Sequence, residues 1–310
     1  MIKVSNLTKR YGDLKAVDDV TFDVRTGEIL GFLGPNGAGK TTTVRIITCY
    51  LLPTSGWVEV DGLNTFEHSL EVRKKIGYLP ENAPLYNEMS VSDYLRFIMG
   101  LRDIPKDRYN QRANEITEIC GLEDVIHRNI GELSKGYKQR VGLAQAMVHN
   151  PEILILDEPT SGLDPNQIVE IRNLIKELGK EKTVILCTHI LPEVEATCGR
   201  VLIINQGKIV ADGSPAELQS SFQGKTKIYL ELKTPSKDVT STLLKLKNLE
   251  KVEQISSYED DLKKFTLESA QGIDLRESVF RLAVENHWVI LELRKEQVSL
   301  EDVFRQLTTS

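Results

Sequence analysis

The feature that most constrains this chain is a glycine-rich segment between two regular patterns, Gly34-Pro35-Asn36-Gly37-Ala38-Gly39-Lys40-Thr41. An apolar run at 28–33 predicts a β-strand before it, and residues 40–51 predict a helix after it. The spacing fits G-x-x-x-x-G-K-[ST], the pattern of a phosphate-binding loop. Its glycines let backbone N–H groups curl around phosphate oxygens, and the helix N-terminus adds a positive field. An ordinary glycine turn is therefore the weaker interpretation.

This loop predicts roles for individual side chains. We expect Lys40 to bridge the β- and γ-phosphates of ATP and Thr41 to offer its hydroxyl to Mg²⁺. The other nucleotide contacts are predicted along the loop and at the residue after it: Gly34, Pro35, Asn36, Gly37, Ala38, Gly39 and Thr42.

A second candidate feature is an apolar strand that ends in two carboxylates, Asp157 and Glu158. Asp157 is predicted to hold Mg²⁺ through water. Glu158 is predicted to orient and deprotonate the attacking water, a role that contributes roughly 10²–10⁴-fold in rate. A strand ending in Asp-Glu is by itself more often a solvated strand end. The phosphate loop makes the catalytic interpretation the stronger one.

The order of patterns along the first 221 residues predicts an α/β fold with a mostly parallel sheet wrapped by helices. More strongly alternating runs predict an antiparallel edge layer, and residues 85–150 predict a helical insertion. The predicted strands are 28–33, 76–79, 152–156, 183–187 and 201–204, with 2–5, 20–24 and 57–60 in the edge layer. The predicted helices of the insertion are 91–101, 109–120 and 136–149.

Residues 222–310 predict a second, smaller domain, because a turn-rich segment at 213–224 marks a boundary and 310 residues are many for one core. The predicted order is βαββαβ, which implies a ferredoxin-like α+β sandwich. The elements are predicted at 227–233, 237–246, 252–258, 263–268, 274–285 and 288–294, followed by a helix at 300–307.

Composition argues against several classes of function. A net charge of −6 with pI near 5.6 argues against a nucleic-acid surface, which usually needs a basic face. The four cysteines are widely spaced, which predicts buried thiols rather than a disulfide framework or a zinc site. The N-terminus lacks a signal-peptide pattern, and no apolar run is long enough to cross a bilayer.

Four further motifs resemble those of the ABC ATPases, a family of P-loop NTPases, over about the first 220 residues. Leu133-Ser-Lys-Gly-Tyr-Lys-Gln-Arg140 resembles the family signature, and Ser161-Gly-Leu-Asp164 resembles the D-loop. Thr188-His189 resembles the switch histidine, and Tyr11 stands where the family has an adenine-stacking aromatic. The closing segment 299–304 and the C-terminal element order resemble ABC-2 type exporter ATPases, in particular the gliding-motility and multidrug-type group.

The resemblance implies further site residues. Ser134 and Gly136 are expected to hold the γ-phosphate of ATP bound to a second copy of the chain, so that two copies close head to tail. His189 is expected to contact the γ-phosphate, Asp164 to shape the dimer interface and Tyr11 to stack on adenine.

Two motifs depart from the family pattern, at three positions in all. Glu81 stands where most members have glutamine, and a carboxylate there is expected near Mg²⁺ or its water. Lys135 and Tyr137 replace the usual glycine and glutamine of the signature, while Ser134 and Gly136 remain.

These features predict the ATP-binding and ATP-hydrolysing subunit of a membrane transporter. The expected partners are a second copy and a separate multi-helix permease, with no nucleic acid. The expected location is cytoplasmic, peripheral on the inner face of the cell membrane. Two alternatives are a soluble, nucleic-acid- or ribosome-associated ABC ATPase, and a regulatory module that senses a ligand through the C-terminal domain.

Overall fold

The computed structural model describes residues 1–222, 226–236, 238–255, 261–270, 272–296 and 299–308. The chain forms two compact units: unit 1 comprises Met1–Pro215 with Phe304–Ser310, and unit 2 comprises Ala216–Val303. The sequence placed all residues beyond 221 in the second domain. In the structure, however, residues 304–308 group with unit 1, where the Asn205 side-chain amide donates to the Leu307 carbonyl at 3.2 Å. A long-range contact of this kind leaves no local signal in the sequence.

The elements of unit 1 alternate between strands and helices. Its strands are β1 (Ile2–Tyr11), β2 (Leu14–Val24), β3 (Ile29–Leu33), β4 (Ser55–Val60), β5 (Leu63–Asn64), β6 (Ile76–Leu79), β7 (Ile153–Asp157), β8 (Thr183–Thr188), β9 (Arg200–Asn205) and β10 (Lys208–Gly213). Its helices are α1 (Lys40–Ile47), α2 (Ser69–Lys75), α3 (Val91–Leu101), α4 (Tyr109–Cys120), α5 (Lys135–Met147), α6 (Pro165–Leu178) and α7 (Leu191–Thr197). Helix α8 (Pro215–Ser221) follows β10.

The central sheet has six strands in the order β10-β9-β3-β8-β7-β6. All neighbouring pairs are parallel except β9 with β10. Every residue of β7 and β8 is buried, which is typical of parallel strands covered on both faces. The predicted parallel sheet is confirmed. Because the carboxyl ends of parallel strands meet at one edge, the residues after β3, β7 and β8 lie together there.

The antiparallel layer is a second sheet in the order β2-β1-β4-β5. Its strands are longer than the sequence predicted, since β1 and β2 continue as a hairpin to the pair Tyr11 and Leu14. Three register shifts interrupt the ladder along β1, and Asn6 and Asp19 take positive φ angles beside them. These bulges interrupt the alternation of buried and exposed residues along β1, so the sequence pattern predicted this strand only up to residue 5.

The helical insertion contains α3 and α4 at the predicted bounds, whereas α5 begins one residue and ends two residues earlier than predicted. The Tyr94 hydroxyl donates to Gln145 at 2.6 Å, which ties α3 to α5. Helix α1 is shorter than the predicted 40–51, because Cys49 takes a φ of 63° and the chain folds back. The N–H groups of Tyr50 and Leu51 then both donate to the Arg45 carbonyl, at 2.8 and 3.0 Å.

Unit 2 is an antiparallel sheet covered by two helices. Its elements are β11 (Thr226–Lys233), α9 (Val239–Leu243), β12 (Leu249–Ile255), β13 (Leu262–Ser269), α10 (Arg276–Glu285) and β14 (Val289–Glu296), and α11 (Leu300–Thr308) follows. The strand order β12-β13-β11-β14 is that of a ferredoxin-like fold, as predicted. Alternating buried residues of β11 and β13 build its core, among them Leu230, Phe265 and Leu267. Residues 256–258 of the predicted third element lie outside the described residues.

Within the described ranges, none of the helices combines the length and the apolar character needed to span a bilayer.

Candidate active site

The glycine-rich loop connects the end of β3 to the start of α1 in unit 1. Gly37 and Gly39 take φ angles of 80° and 108°, in the left-handed region that favours glycine. A Cβ atom at Gly39 would also clash with the backbone carbonyl oxygen of Ala16. The loop therefore needs glycine at 39 both for its backbone angle and for space.

A polar cleft of about 390 Å³ opens above this loop. It gathers residues from the loop, from the segments after β6, β7 and β8, and from β2. The lining residues are Ala16, Pro35, Asn36, Gly37, Gly39, Lys40, Thr41, Thr42, Glu81, Glu158, Ser161 and His189. The structure thus brings together most of the residues that the sequence predicted as the nucleotide and catalytic site. Gly34 and Ala38 belong to the loop without lining the cleft.

Lys40 is buried at the base of the cleft. Its ammonium group donates to the carbonyl oxygens of Gly34 and Pro35 at 2.6 and 3.2 Å. It also lies 3.5 Å from the carboxylate of Glu158. A buried cation is stable only with such partners, and here they hold it between the loop and the carboxylate pair.

Glu158 directly follows β7 and takes a φ of 51°, which is uncommon for a residue with a side chain. Its N–H donates to the Cys187 carbonyl at 2.8 Å, which fixes the backbone turn. Both carboxylate oxygens lie 2.9 Å from Nδ1 of His189. An N–H at Nδ1 would donate to this carboxylate, so Lys40 and His189 orient the side chain from two sides. The geometry suits a base held beside bound phosphate.

Asp157 is the last residue of β7, and its side chain is 1% exposed. Neither carboxylate oxygen has a hydrogen-bond partner among the described residues. Burial raises the pKa of Asp157; the Thr41 hydroxyl opposes the shift, and the charges of Glu158 and Glu81 add to it. A buried carboxylate without a donor, beside a hydroxyl, has the oxygen chemistry that Mg²⁺ prefers.

The described residues contain no cluster of three or more His, Cys, Asp or Glu side chains that could hold a metal ion. Mg²⁺ keeps several waters and uses one or two protein oxygens together with substrate phosphates, so it does not need such a cage. The oxygen atoms of Thr41 and Asp157 therefore suit the Mg²⁺ ion that the glycine-rich loop predicts.

The sequence analysis missed a buried carboxylate, Glu193, in the first turn of α7. Its side chain is 3% exposed. One carboxylate oxygen accepts from the Thr160 hydroxyl, and the other accepts from the Thr188 hydroxyl at 3.0 Å. Glu193 thus ties the segment after Glu158 to the residue before His189. An acidic residue at a helix start is usually solvated and complements the helix dipole, so no local pattern marks Glu193 as buried.

Besides Gly34, Ala38 and Asp157, four predicted residues lie outside the cleft lining. Tyr11 is exposed at the end of β1, with the Lys9 ammonium 5.3 Å from its ring centre. Ser134 caps α5 by accepting from the Tyr137 N–H at 3.4 Å. Asp164 caps α6 by accepting from the Gln167 N–H at 2.9 Å. Gly136 is buried, and a Cβ atom there would press on the Gln167 side chain.

The sequence matches the family model described as ABC transporter over residues 17–161. The bacitracin transport ATP-binding protein BcrA of Bacillus licheniformis is 35% identical over 309 residues, with 99% of this chain and 97% of that protein covered. The linearmycin resistance ATP-binding protein LnrL of Bacillus subtilis is 32% identical over 309 residues, with 99% and 98% covered. Both likenesses extend through unit 2.

Among solved structures, the dimeric bacterial ABC transporter cassette MJ0796 matches with a TM-score of 0.64 and 28% identity, over 69% of this chain and 98% of that one. A post-hydrolysis dimer of the same cassette, bound to ADP and Pi, matches with a TM-score of 0.63 and 27% identity over the same shares. The chain has the fold of a cassette solved in a post-hydrolysis state. It is also similar along its full length to transporter ATP-binding proteins. This chain belongs to the ABC transporter family and is an ATP-binding, ATP-hydrolysing subunit.

Proposed function

We propose that this subunit is a membrane-peripheral motor in which two copies close head to tail around two ATP molecules. The observation that carries this proposal is the separation of its parts within one chain. Lys40 lines the cleft, whereas Ser134 and Gly136 begin a helix that does not line it. A helix N-terminus with a hydroxyl and free N–H groups suits a γ-phosphate, and a second copy can bring one to each cleft.

Within each cleft we assign the roles as follows. The loop from Gly34 to Thr42, including the Lys40 ammonium group, binds the phosphates. Thr41 and Asp157 hold Mg²⁺, and Glu81 lies near the water shell of the ion. Mg²⁺ would neutralise charge on the β- and γ-phosphate oxygens. Glu158 takes a proton from the attacking water, and His189, held against it, contacts the γ-phosphate.

Two further residues act at the edges of this site. Tyr11 is exposed, so its ring is free to stack on adenine. Asp164 caps α6 and shapes the surface that the second copy meets.

We further propose that the subunit drives export through a separate membrane-spanning permease of the ABC-2 type, on the inner face of the cell membrane. The names of BcrA and LnrL, bacitracin transport and linearmycin resistance, support a role of this chain in export. Closure of the dimer would move the helical block around residues 81–101 against the permease. Residues 1–221 form the nucleotide-binding domain in this proposal, and 222–310 an accessory domain.

Glu158→Gln tests the motor. It removes the base but keeps the shape, so we expect hydrolysis to fall by roughly 10²–10⁴-fold while ATP binding persists. ATP should then hold the variant as a stable dimer, measured by size-exclusion chromatography with light scattering. The exposed Glu177→Gln serves as the matched control and should behave as the wild type.

Two results would overturn this proposal. Full turnover by Glu158→Gln would refute the base assignment. A strictly monomeric ATP-trapped sample, with normal turnover by Ser134→Ala, would refute the head-to-tail dimer. Purification from native membranes in mild detergent tests the permease, since a multi-helix companion is expected and retention on nucleic acid or ribosomes is not.

A further inference from the structure

The turn that joins β9 to β10 consists of two residues, Gln206 and Gly207, and lies against the glycine-rich loop. Both take positive φ angles, 48° and 77°, as a tight hairpin turn of type I′ requires. The Gly207 N–H donates to the Ala38 carbonyl at 2.9 Å, and the Gly207 carbonyl accepts from the Asp18 N–H at 2.8 Å. A Cβ atom at Gly207 would lie 3.1 Å from the Ala16 carbonyl oxygen, a tight contact. The turn is therefore bonded on both sides to segments that border the phosphate site.

The bond to Ala38 fixes the direction of one N–H group of the loop. The peptide between Ala38 and Gly39 is trans and planar, so the Gly39 N–H points opposite to the Ala38 carbonyl. Because Gly207 holds that carbonyl, the Gly39 N–H points away from the turn. Gly39 lines the cleft, where backbone N–H groups of the loop bind phosphate oxygens. Gly207 thus positions a phosphate donor without itself lining the cleft.

The same turn is also fastened to the C-terminal helix. Asn205, the last residue of β9, pairs with Lys208 across the turn. Its side-chain amide donates to the Leu307 carbonyl at 3.2 Å. Leu307 lies in the last turn of α11, where carbonyl groups have no donor within the helix and form the negative end of its dipole. The amide of Asn205 therefore satisfies a carbonyl that α11 cannot satisfy itself.

Helix α11 crosses the division of the chain into two units. Its first residues include Leu300 and Val303, which are fully buried, and unit 2 ends at Val303. From Phe304 onward the helix belongs to unit 1. A helix is a rigid element, and rigid elements with hydrogen bonds at their ends carry coupling between distant sites. The segment that leaves unit 2 is thus the one that fastens the turn behind the phosphate loop.

We propose that Asn205 and Gly207 are positioning residues for ATP binding, which fasten the phosphate loop to the C-terminal helix and make the affinity for ATP depend on where α11 is held. The contacts run from the Leu307 carbonyl through Asn205 and Gly207 to the Ala38 carbonyl. This role needs one copy of the chain only, so it holds with or without the proposed dimer and permease.

Asn205→Ala tests the link to α11 in the full-length protein. The variant leaves the Leu307 carbonyl without its donor and loosens the turn. KM for ATP should therefore rise about fivefold, the size of one hydrogen bond, while kcat stays within about twofold. Asn205→Asp has nearly the same shape but no N–H to donate, so it should behave as the alanine variant does. Steady-state hydrolysis gives KM and kcat, and titration with a fluorescent ATP analogue gives the Kd.

The matched control is Asn286→Ala in unit 2. The Asn286 amide donates to the Leu282 carbonyl at 2.8 Å, in the last turn of α10. The control therefore removes the same kind of bond from the end of another helix. It should leave KM, kcat and the Kd at their wild-type values.

Gly207→Ala tests the bond between the turn and the loop. Its Cβ atom presses on Ala16 and its φ angle is strained, so the turn must shift away from Ala38 and KM for ATP should again rise. Gly62→Ala is the control, because Asp61 and Gly62 form a similar turn, with φ angles of 50° and 80°. A Cβ atom at Gly62 would meet no neighbour within 4 Å. Both variants carry the same backbone strain, but only Gly207→Ala should raise KM.

Hydrogen exchange tests the link from the opposite end. Coupling between two sites is reciprocal, so MgATP should slow amide exchange of residues 304–308 in the wild type. The slowing should be lost in Asn205→Ala and kept in Asn286→Ala. Exchange at 304–308 that does not respond to ATP would overturn the proposal.

The kinetic results can overturn it as well. An unchanged KM and Kd in Asn205→Ala would refute the link, and wild-type values in Asn205→Asp would show that the shape of the side chain matters and not its N–H. ATP-dependent dimerisation of Glu158→Gln reports on the proposed motor instead. A failure to dimerise, with the expected changes in the Kd, would refute the proposed function and leave the roles of Asn205 and Gly207 standing.

Discussion

At the scale of single residues, the carboxylates around the cleft differ in how they are held. Glu158 is braced by Lys40 at 3.5 Å and by His189 at 2.9 Å. Glu193 accepts from two hydroxyls, whereas both oxygens of Asp157 lack a donor among the described residues. The three side chains are all buried, but their partners differ. In the proposed mechanism Glu158 takes the proton, Glu193 positions its neighbours and Asp157 holds the cation.

Glu193→Ala should slow hydrolysis without weakening ATP binding. The change leaves the Thr160 hydroxyl without its acceptor, at a cost of about 1–3 kcal/mol in stability. It also removes one of the two carboxylates that accept from the Thr188 hydroxyl, which loosens the residue before His189. We expect kcat to fall about tenfold or more while KM for ATP stays nearly constant, and Glu193→Gln to restore part of the rate because its amide oxygen still accepts.

Steady-state kinetics and thermal unfolding together distinguish a positioning role of Glu193 from a general loss of stability. The exposed Glu181→Ala is the control for charge removal. A wild-type kcat for Glu193→Ala, or a change confined to KM, would contradict the positioning role.

Asp157→Asn should make the stability of the protein less dependent on pH. Because burial raises the folded-state pKa of Asp157 above 3.8, the ionised carboxylate is disfavoured in the fold. Its favourable contribution is complete below the unfolded pKa and is lost as pH rises through the folded one. Without nucleotide or Mg²⁺, the variant should therefore unfold at a higher temperature than the wild type at neutral pH.

This difference should shrink as pH falls toward 4, and thermal unfolding across pH measures it. Added Mg²⁺ and ATP should stabilise the wild type more than the variant. If the difference in unfolding temperature between the variant and the wild type grew as pH falls, the pKa of Asp157 would be lowered in the fold and not raised.

At the scale of elements, helix caps explain two residues that resemble family site positions. Ser134 and Asp164 each accept from an N–H three residues later, and Pro165 follows Asp164 at the first position of α6. Both residues therefore have a local structural task besides any contact with a second copy.

Asp164→Ala and Asp164→Asn separate these tasks. Alanine should cost about 1 kcal/mol of stability, because the Gln167 N–H loses its acceptor, whereas asparagine still caps and should cost little. Denaturant unfolding measures the first effect, and ATP-dependent dimerisation of the asparagine variant measures the second. Equal destabilisation by both variants would mean that charge, and not capping, matters for stability.

At the scale of the whole molecule, each of the two units has a hydrophobic core of its own among the described residues. One lies in the sheets of unit 1, and the other lies between the sheet and helices of unit 2. Each core belongs to one unit, so each unit is expected to unfold as its own cooperative transition.

Calorimetry should show two unfolding transitions. ATP with Mg²⁺ should raise the midpoint temperature of only one of them, the transition of unit 1. A ligand at 100 times its Kd adds about 2.7 kcal/mol, a shift of roughly 5–10 °C for a unit of this size. Lys40→Ala should abolish the shift and leave the other transition in place. A single unfolding transition whose midpoint rises with ATP would contradict the prediction that the two units unfold independently.

The features that could be predicted from the amino-acid sequence are those that depend on neighbours along the chain. The glycine-rich loop is local, because its conformation requires glycines at fixed spacing between a strand and a helix. The apolar runs of the parallel strands, the bounds of α3 and α4 and the βαββαβ order of unit 2 are likewise set by local periodicity.

Contacts between segments far apart in the sequence follow from the three-dimensional fold alone. That fold buries Glu193 between Thr160 and Thr188, leaves Asp157 without a donor among the described residues and joins Asn205 to the end of α11. Burial and pairing of charges depend on which strands and helices become neighbours, and sequence spacing does not encode that. The loop could therefore be predicted from eight residues, whereas the environment of each carboxylate required the whole fold.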